Sequence, residues 1–409
     1  MPRDETLVAT AAAHPLRRLL GNPAFLRLWA AGGLANAMRW VETLVAAVFT
    51  FEATGSALAV SLVAVMRALP MLLLGAVAGA VAEVLDRRLL LMAGQAATAT
   101  SAFTIAALAA TGGLEVWHLA AAALIGGLVW TGEMASRRRM ASEAAGERDV
   151  VQAMAFDSMT ANTTRMAGPL LGGLLYQTLG LAAAYGLAGA CYLAVFALLA
   201  GVRLPQARRR LVGRQLLTDV ADGVRVVRRH PVLQAVIGVT IAVNVFGFCV
   251  SVVLPALGTA AYDATPFGIG LLAAAEPAGA LLTGLVLASR WGAPLSAALM
   301  IGGGGGFLLC LLLLPLMPAL WLAVAVLMLG GIGTALFAAL QTALPVTQAP
   351  VEARSRVLGL VTTCIGMGPV GVLTIGALAD SLGPGRAIPV MAAAGLLALA
   401  ATAALTLRR

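Results

Sequence analysis

Residues 155–202 read AFDSMTANTTRMAGPLLGGLLYQTLGLAAAYGLAGACYLAVFALLAGV, and from Met166 to Val202 no residue is charged. A hydrocarbon core about 30 Å thick needs roughly twenty apolar residues in a helix. The stretch is therefore read as two crossings, 155–178 and 181–202. Working outward, apolar runs of similar length recur at 28–50, 58–82, 89–111, 118–136, 232–258, 266–289, 294–315, 319–343, 357–379 and 386–407. Lipid offers the backbone no hydrogen bonds, so each span must be a helix or part of a closed barrel, and these runs are too long and too continuous for barrel strands. The expected class is an all-α membrane protein with twelve transmembrane helices.

Composition agrees. Of 409 residues, 60% are hydrophobic and 11% charged, against about 25% charged in a soluble domain. The net charge of +9 would suit nucleic acid, but every basic residue is arginine and most lie in short connections between apolar runs, so no nucleic-acid partner is expected. That distribution orients the chain: Arg87, Arg88, Arg137, Arg138, Arg139, Arg148, the 203–230 loop, Arg290, Arg354, Arg356, Arg408 and Arg409 fall on one side, and Arg386 on the other. The positive-inside rule places the first group, and both termini, in the cytoplasm. The first apolar run is a full span long, follows Arg17, Arg18 and Arg27, and lacks a small-residue cleavage site, so it is read as a retained helix.

The longest polar connection divides the chain into an N-terminal half, 1–202, a linker, 203–230, and a C-terminal half, 231–409. Within the linker Leu216, Leu217, Val220, Val224 and Val227 fall at helical spacing among arginines, which predicts an amphipathic helix on the inner membrane face, with membrane lipids as its partner. The halves echo one another: Ala167-Gly168-Pro169 is answered by Met367-Gly368-Pro369, and Gly75 and Gly79 before Asp86-Arg87-Arg88 by Ala280 and Gly284 before Arg290. Such repeats enclose midplane sites.

Charged groups inside spans carry the functional expectation, because each costs roughly 2.5 to 3.5 kcal/mol at a helix centre. Asn36, Arg39 and Glu42 share one face of the first span. Arg39 is expected to pair with Glu42, either as a cavity site where Glu42 takes up and loses a proton or as a permanently closed ion pair. Arg67 has no local partner, and Glu42 or an anionic substrate is expected to meet it. Arg165 has Asp157 and Glu133 as the acids nearest in sequence, while Glu133 and Arg137 are read as a local i, i+4 pair. Glu276, followed by Pro277, is either a cavity acid or a snorkelling one beside a bend. Asn244, Phe246 and Phe248 are candidates for the cavity wall or for core and lipid contacts.

The second-to-third junction, Gly75, Gly79, Glu83, Asp86, Arg87, Arg88, resembles the signature of the major facilitator superfamily, Gly-x-x-x-Asp-Arg-x-Gly-Arg-Arg. Gly79 takes the glycine, Glu83 the acid, and Arg87 and Arg88 the terminal pair, while Val84 replaces the usual arginine and Asp86 the usual glycine. Glu133, Arg137, Arg138, Arg139, Glu147-Arg148, Asp157, Arg165, Gly168-Pro169-Leu170-Leu171-Gly172-Gly173 and Arg354-Ser355-Arg356-Val357 resemble the bacterial enterobactin-exporter-like and drug-efflux subgroup over nearly the whole chain. Gly168, Pro169, Gly172 and Gly173 also resemble the antiporter motif of proton-coupled exporters.

The resemblance implies two pseudo-symmetric six-helix bundles in the inner membrane, working as a monomer, with a cytoplasmic gate at Gly79, Glu83, Asp86, Arg87, Arg88, Glu133, Arg137 and Arg354. The same charges also serve simply to stop helices at the membrane surface. It further implies export of a small amphipathic molecule, a siderophore-like metabolite or a drug, in exchange for protons. A lipid or lysophospholipid flippase and an importer, facilitative or proton-coupled, are the alternatives. Nothing in the sequence reads as a nucleophile with its base or a nucleotide loop, and no cofactor or metal is expected. The four cysteines are scattered singly, and the glycine run 302–306 is a close-packing segment inside a span.

Overall fold

The structure, a computed structural model, describes residues 15–84, 86–202, 224–290 and 296–407, with side chains throughout these except at 15–17, 75–84, 135, 288–290, 352 and 355. The helices are α1 (Pro15–Leu20), α2 (Pro23–Thr54), α3 (Ala57–Val84), α4 (Arg87–Ala110), α5 (Val116–Ala145), α6 (Val150–Ala200), α7 (224–229), α8 (Pro231–Ala242), α9 (Leu254–Tyr262), α10 (Pro266–Arg290), α11 (Ala297–Leu313), α12 (Leu320–Gln348), α13 (Arg354–Ile365), α14 (Gly368–Leu382) and α15 (Pro384–Thr406). No strand occurs among the described residues.

Among the described residues ten helical segments are long and apolar enough to cross a membrane. One of them is the 51-residue α6, which contains a non-helical Gly180 at φ 77° and is two crossings. The 32-residue α2 adds the twelfth, its polar Asn36, Arg39 and Glu42 making it less apolar than its length implies. Crossings four and five are longer than expected. Past the expected span end at residue 136, α5 continues to Ala145, so Arg137, Arg138 and Arg139 are helical rather than in a loop. Charged residues end a membrane span without ending a helix.

The seventh crossing is distorted: α8 passes into a π-helical turn, Val243–Gly247, then a 3-10 segment, Phe248–Val253, before α9 resumes. The two Gly-Pro repeats also differ. Pro169 lies inside continuous α6, whereas Gly366 and Met367 break the eleventh crossing and Pro369 starts a new helix. The linker residues 203–223 lie outside the described residues. Its last turn, α7, buries Val227 against Leu233, Ala349 and Val357, so this part packs on protein rather than lying on lipid as expected.

Two large apolar clusters form the interior, one drawn from Leu28 to Val202 and the other from Val236 to Leu399 together with Ala57. The opposite surfaces present leucines and other apolar side chains outward, such as Leu73, Leu179 and Leu397, as lipid requires. Exposed Trp117 and Trp321 sit at one end of the bundle, where an aromatic belt belongs. The other end carries Arg18, Arg87, Arg88, Arg137–Arg139, Arg148 and Arg354, and these are called below the far end and the arginine-rich end.

Small residues let the helices approach closely. A Cβ on Gly127 would collide with the backbone carbonyl of Arg67, and one on Gly279 with that of Met328, whereas Gly306 has open space around it. Outside the spans, Arg18 holds α1 to the start of α6 through Asp149 at 2.7 Å. That hydrogen bond, with the charges of Arg18 and Arg148, keeps the Asp149 carboxyl below the ordinary carboxylate range despite its partial burial.

Two outcomes are expected. Gly306→Ala should leave thermal stability unchanged or raised by up to about 1 kcal/mol, the helix-propensity gain, while Gly127→Ala should lower it by about 1–3 kcal/mol through overpacking. Unfolding in detergent monitored by circular dichroism reads both. The Arg18–Asp149 tie should be present above the unfolded carboxylate pKa of about 3.9 and lost as pH falls through the lowered native value. Protease cleavage between α1 and α2 should accordingly rise on acidification below pH 4, and Asp149→Asn should abolish that dependence.

Candidate functional site

On the N-terminal half a cavity of about 200 Å³ runs from the middle of the bundle toward the arginine-rich end, between α2, α5 and the first limb of α6. One face of α2 lines it with Gly32, Gly33, Asn36, Arg39 and Trp40, as helical spacing dictates. α5 adds Trp130, Glu133, Arg137 and Arg138, and α6 adds Asp157, Thr160 and Arg165.

The expected Arg39–Glu42 pair does not form. Arg39 reaches instead to Glu133 on α5 at 3.0 Å, donates to Asn36 Oδ1 at 3.0 Å and lies 5.3 Å from the Trp130 ring centre. Asn36 in turn donates to Thr164 Oγ1 at 2.5 Å. Glu42, three residues further along the helix, points away from the cavity into the half, where the Tyr192 hydroxyl donates to it at 3.0 Å. Among the described residues it makes no ion pair within 4 Å, and the positive charges it feels most are Arg67 and then Arg39. Three-residue spacing put the two side chains on adjacent strips of the helix. The neighbouring helices decided which way each one turned.

From Glu133 the charges continue as an alternating chain. Arg137 lies 3.6 Å from Glu133 and donates to Asp157 at 2.5 Å, and Arg138 reaches Asp157 at 3.5 Å. The local Glu133–Arg137 pair is therefore present, but the tighter bond of Arg137 is to α6. Burying Arg39 and Arg137 is tolerable because Glu133 and Asp157 sit beside them, while Arg138 is half exposed.

Arg165 does not meet Asp157 or Glu133. It crosses to the other half and bonds Glu276 on α10 at 2.7 Å, where Thr334 of α12 also donates to the carboxylate at 2.5 Å. Its guanidinium stands 5.4 Å from the Phe248 ring centre, and Phe248 packs against Phe307 and Phe337. Glu276 is thus buried and paired rather than snorkelling. The π-helical turn before Phe248 sets that ring's position, and Asn244 within it donates to Thr240 O at 2.9 Å. Phe246 packs on the C-terminal core. The partner across the halves was the feature hidden from sequence reading, since 111 positions separate the two residues.

Just beyond Arg165, toward the far end, the glycine motif packs partly within its own half and partly across the seam. Gly168 and Gly172 pack on the backbone of α2 at Trp40 and Val41, while Gly173 meets Pro266 of α10 and Gly270 meets Pro169. At the arginine-rich end several ties lie within one half. Asp86 caps α4 through Leu89 N at 3.1 Å, Arg87 bonds Glu143 at 3.0 Å, Arg88 bonds Ala200 O, and Arg354 bonds Ala349 O at 3.4 Å. The side chains at Gly79 and Glu83 lie outside the described part. No group of three or more metal-ligating side chains occurs among the described residues.

Residues 11–409 match the family described as transmembrane secretion effector, a branch of the major facilitator transporters. The chain belongs to that family. The transporter is 28% identical over 347 residues to the multidrug efflux pump Tap of Mycolicibacterium fortuitum, covering 80% of this chain and 82% of that one. Its fold is that of a bacterial homologue of the human lysosomal transporter Spinster in an inward-facing, unoccupied conformation (TM-score 0.67, 16% identity, 94% of each chain). It is equally that of the nucleoside transporter NupG in its D323A form (TM-score 0.73, 13% identity, 93% of this chain and 99% of that one). It is a multi-pass membrane transporter and not an enzyme.

Replacing Asp157 by Asn leaves Arg137, whose side chain is only 14% exposed, with Glu133 at 3.6 Å as its remaining carboxylate. A double-mutant cycle of Arg137→Gln and Asp157→Asn, read by thermal unfolding, is expected to give a coupling of about 1–3 kcal/mol. Independent effects would mean the chain of charges is not connected.

Proposed function

We propose that this transporter exports a small amphipathic molecule across the bacterial inner membrane in exchange for protons, by alternating access between two moving halves, residues 1–202 and 231–409. The observation that carries the reading is the Arg165–Glu276 pair, an ion pair between the halves at the head of the cavity. A proton on Glu276 and the ion pair exclude one another, so protonation frees α6 from α10 at the place where the seam must part. Asn36, Arg39, Glu133, Arg137 and Asp157 form the polar wall that receives substrate beside Trp40 and Trp130. Glu42, with Tyr192 and Arg67, is a polar group inside the N-terminal half that backs this wall.

Direction is supported by the efflux pump similarity and by the family's description. The arginine-rich end is taken as cytoplasmic by the positive-inside rule, so the cavity opens inward, where an exporter loads. A lipid substrate is the second reading, favoured by an apolar pocket of about 310 Å³ between α3, α4 and α5 that ends on Glu133.

The test compares small molecules in medium and cells expressing the intact protein or Glu276→Gln at matched membrane levels. Proton-coupled export predicts that at least one amphipathic compound accumulates outside with the intact protein and that the variant loses about tenfold or more of this. Redistribution of lipid with no soluble compound moved supports the flippase reading. Equal export by the variant removes Glu276 from coupling.

A further inference from the structure

The far end closes through two contacts that are copies of each other. In the C-terminal half α14 ends at Gly383, with φ 82°, and in the N-terminal half the first limb of α6 ends at Gly180, with φ 77°. Seven residues before each stands a glycine at a crossing with the other half: Gly376 against Leu58 and Ser61 of α3, and Gly173 against Pro266 and Phe267 of α10. Three residues before each stands a side-chain acceptor, Asp380 or Gln177.

Each acceptor caps a helix belonging to the opposite half. Asp380 Oδ1 accepts from Ala57 N at 2.6 Å and Leu58 N at 3.3 Å, and its Oδ2 accepts from the Ser56 hydroxyl at 2.6 Å. Gln177 Oε1 accepts from Phe267 N at 3.2 Å. The helices being capped match in turn. Ser56 Oγ accepts from Ala59 N at 3.0 Å, and Thr265 Oγ1 from Gly268 N at 3.3 Å, so each supplies its own cap for the third position and leaves earlier amides to the other half. In α10 the first position is Pro266, which has no N–H, and Gln177 therefore has a single amide to take where Asp380 has two.

We propose that Asp380 and Gln177 are positioning residues for transport, a two-fold related pair of cross-half helix caps that hold the far end shut, Asp380 being the stronger. A carboxylate at a helix N-terminus gains from the macrodipole and from charge-assisted bonds, neither of which a neutral amide matches. When the far end opens, Asp380 must leave three donors, while Gln177 leaves one. The inference rests on the alternating-access reading but not on proton coupling or on any substrate.

The experiment measures distances between spin labels at Ala53→Cys and Gly385→Cys, both exposed at the far end, with Cys191, Cys249, Cys310 and Cys364 replaced. It is done in nanodiscs without substrate or pH gradient, so a failed coupling scheme leaves it interpretable. Asp380→Ala is expected to raise the far-end-open population about five- to tenfold and Gln177→Ala about two- to threefold, with the double variant near their product. Gln177→Glu, which keeps the fold's acceptor and adds a charge, should shift the population toward closed. Thermal unfolding run alongside identifies a purely structural cap, which would lower the melting temperature and leave the distance distribution as it was. An unchanged distribution in a folded double variant overturns the proposal, as does an effect of Gln177→Ala as large as that of Asp380→Ala.

Discussion

A guanidinium buried in a membrane bundle has to be paired, because its apolar surroundings supply neither counter-charge nor hydrogen bonds. Arg39, Arg137 and Arg165 impose that requirement on three helices, and the arrangement of the N-terminal half follows from how it is met. Arg39 draws α5 to α2 through Glu133, and Arg137 draws α5 to α6 through Asp157. With these bonds made, the polar faces of α2, α5 and α6 turn toward one another and enclose the cavity. Arg165 takes neither Glu133 nor Asp157 of its own half. It is satisfied by Glu276 of the other half, which makes the pairing of a single residue depend on how the two halves stand.

The seam between the halves combines two kinds of contact with opposite tolerances. Backbone-to-backbone packing at Gly173 and Gly270 admits no added atom, so it is either fully made or absent. The polar bonds at its two ends are Arg165 to Glu276 at the cavity and Asp380 to α3 at the far surface. A tight apolar strip bounded by polar bonds is a construction that suits the proposed parting and re-forming of the seam.

Much of this was legible in the chain itself. Twelve crossings, their order and the arginine-rich side could be read because a bilayer leaves one backbone solution and a span has a nearly fixed length. The resemblance of Gly168-Pro169-x-x-Gly172-Gly173 to an antiporter motif led to the segment that packs partly across the seam. The pairs were less legible. Glu133 with Arg137 lies within one helix turn and was found, whereas Arg39 with Glu133 and Arg165 with Glu276 join residues 94 and 111 positions apart and were not. Helical spacing reports which face a residue occupies, not what stands opposite.

The sequence by itself determined the solvent, the helix count, the inventory of buried charges and the glycines available for close approach, because each is a local property of composition and period. Only the tertiary structure decided that Glu42 turns inward to Tyr192, that Arg165 serves as a bond between halves, and that Asp380 and Gln177 cap helices they do not belong to. Those choices depend on the relative placement of helices, and that is set by the sum of many weak contacts along whole faces rather than by any residue's own neighbours in the chain.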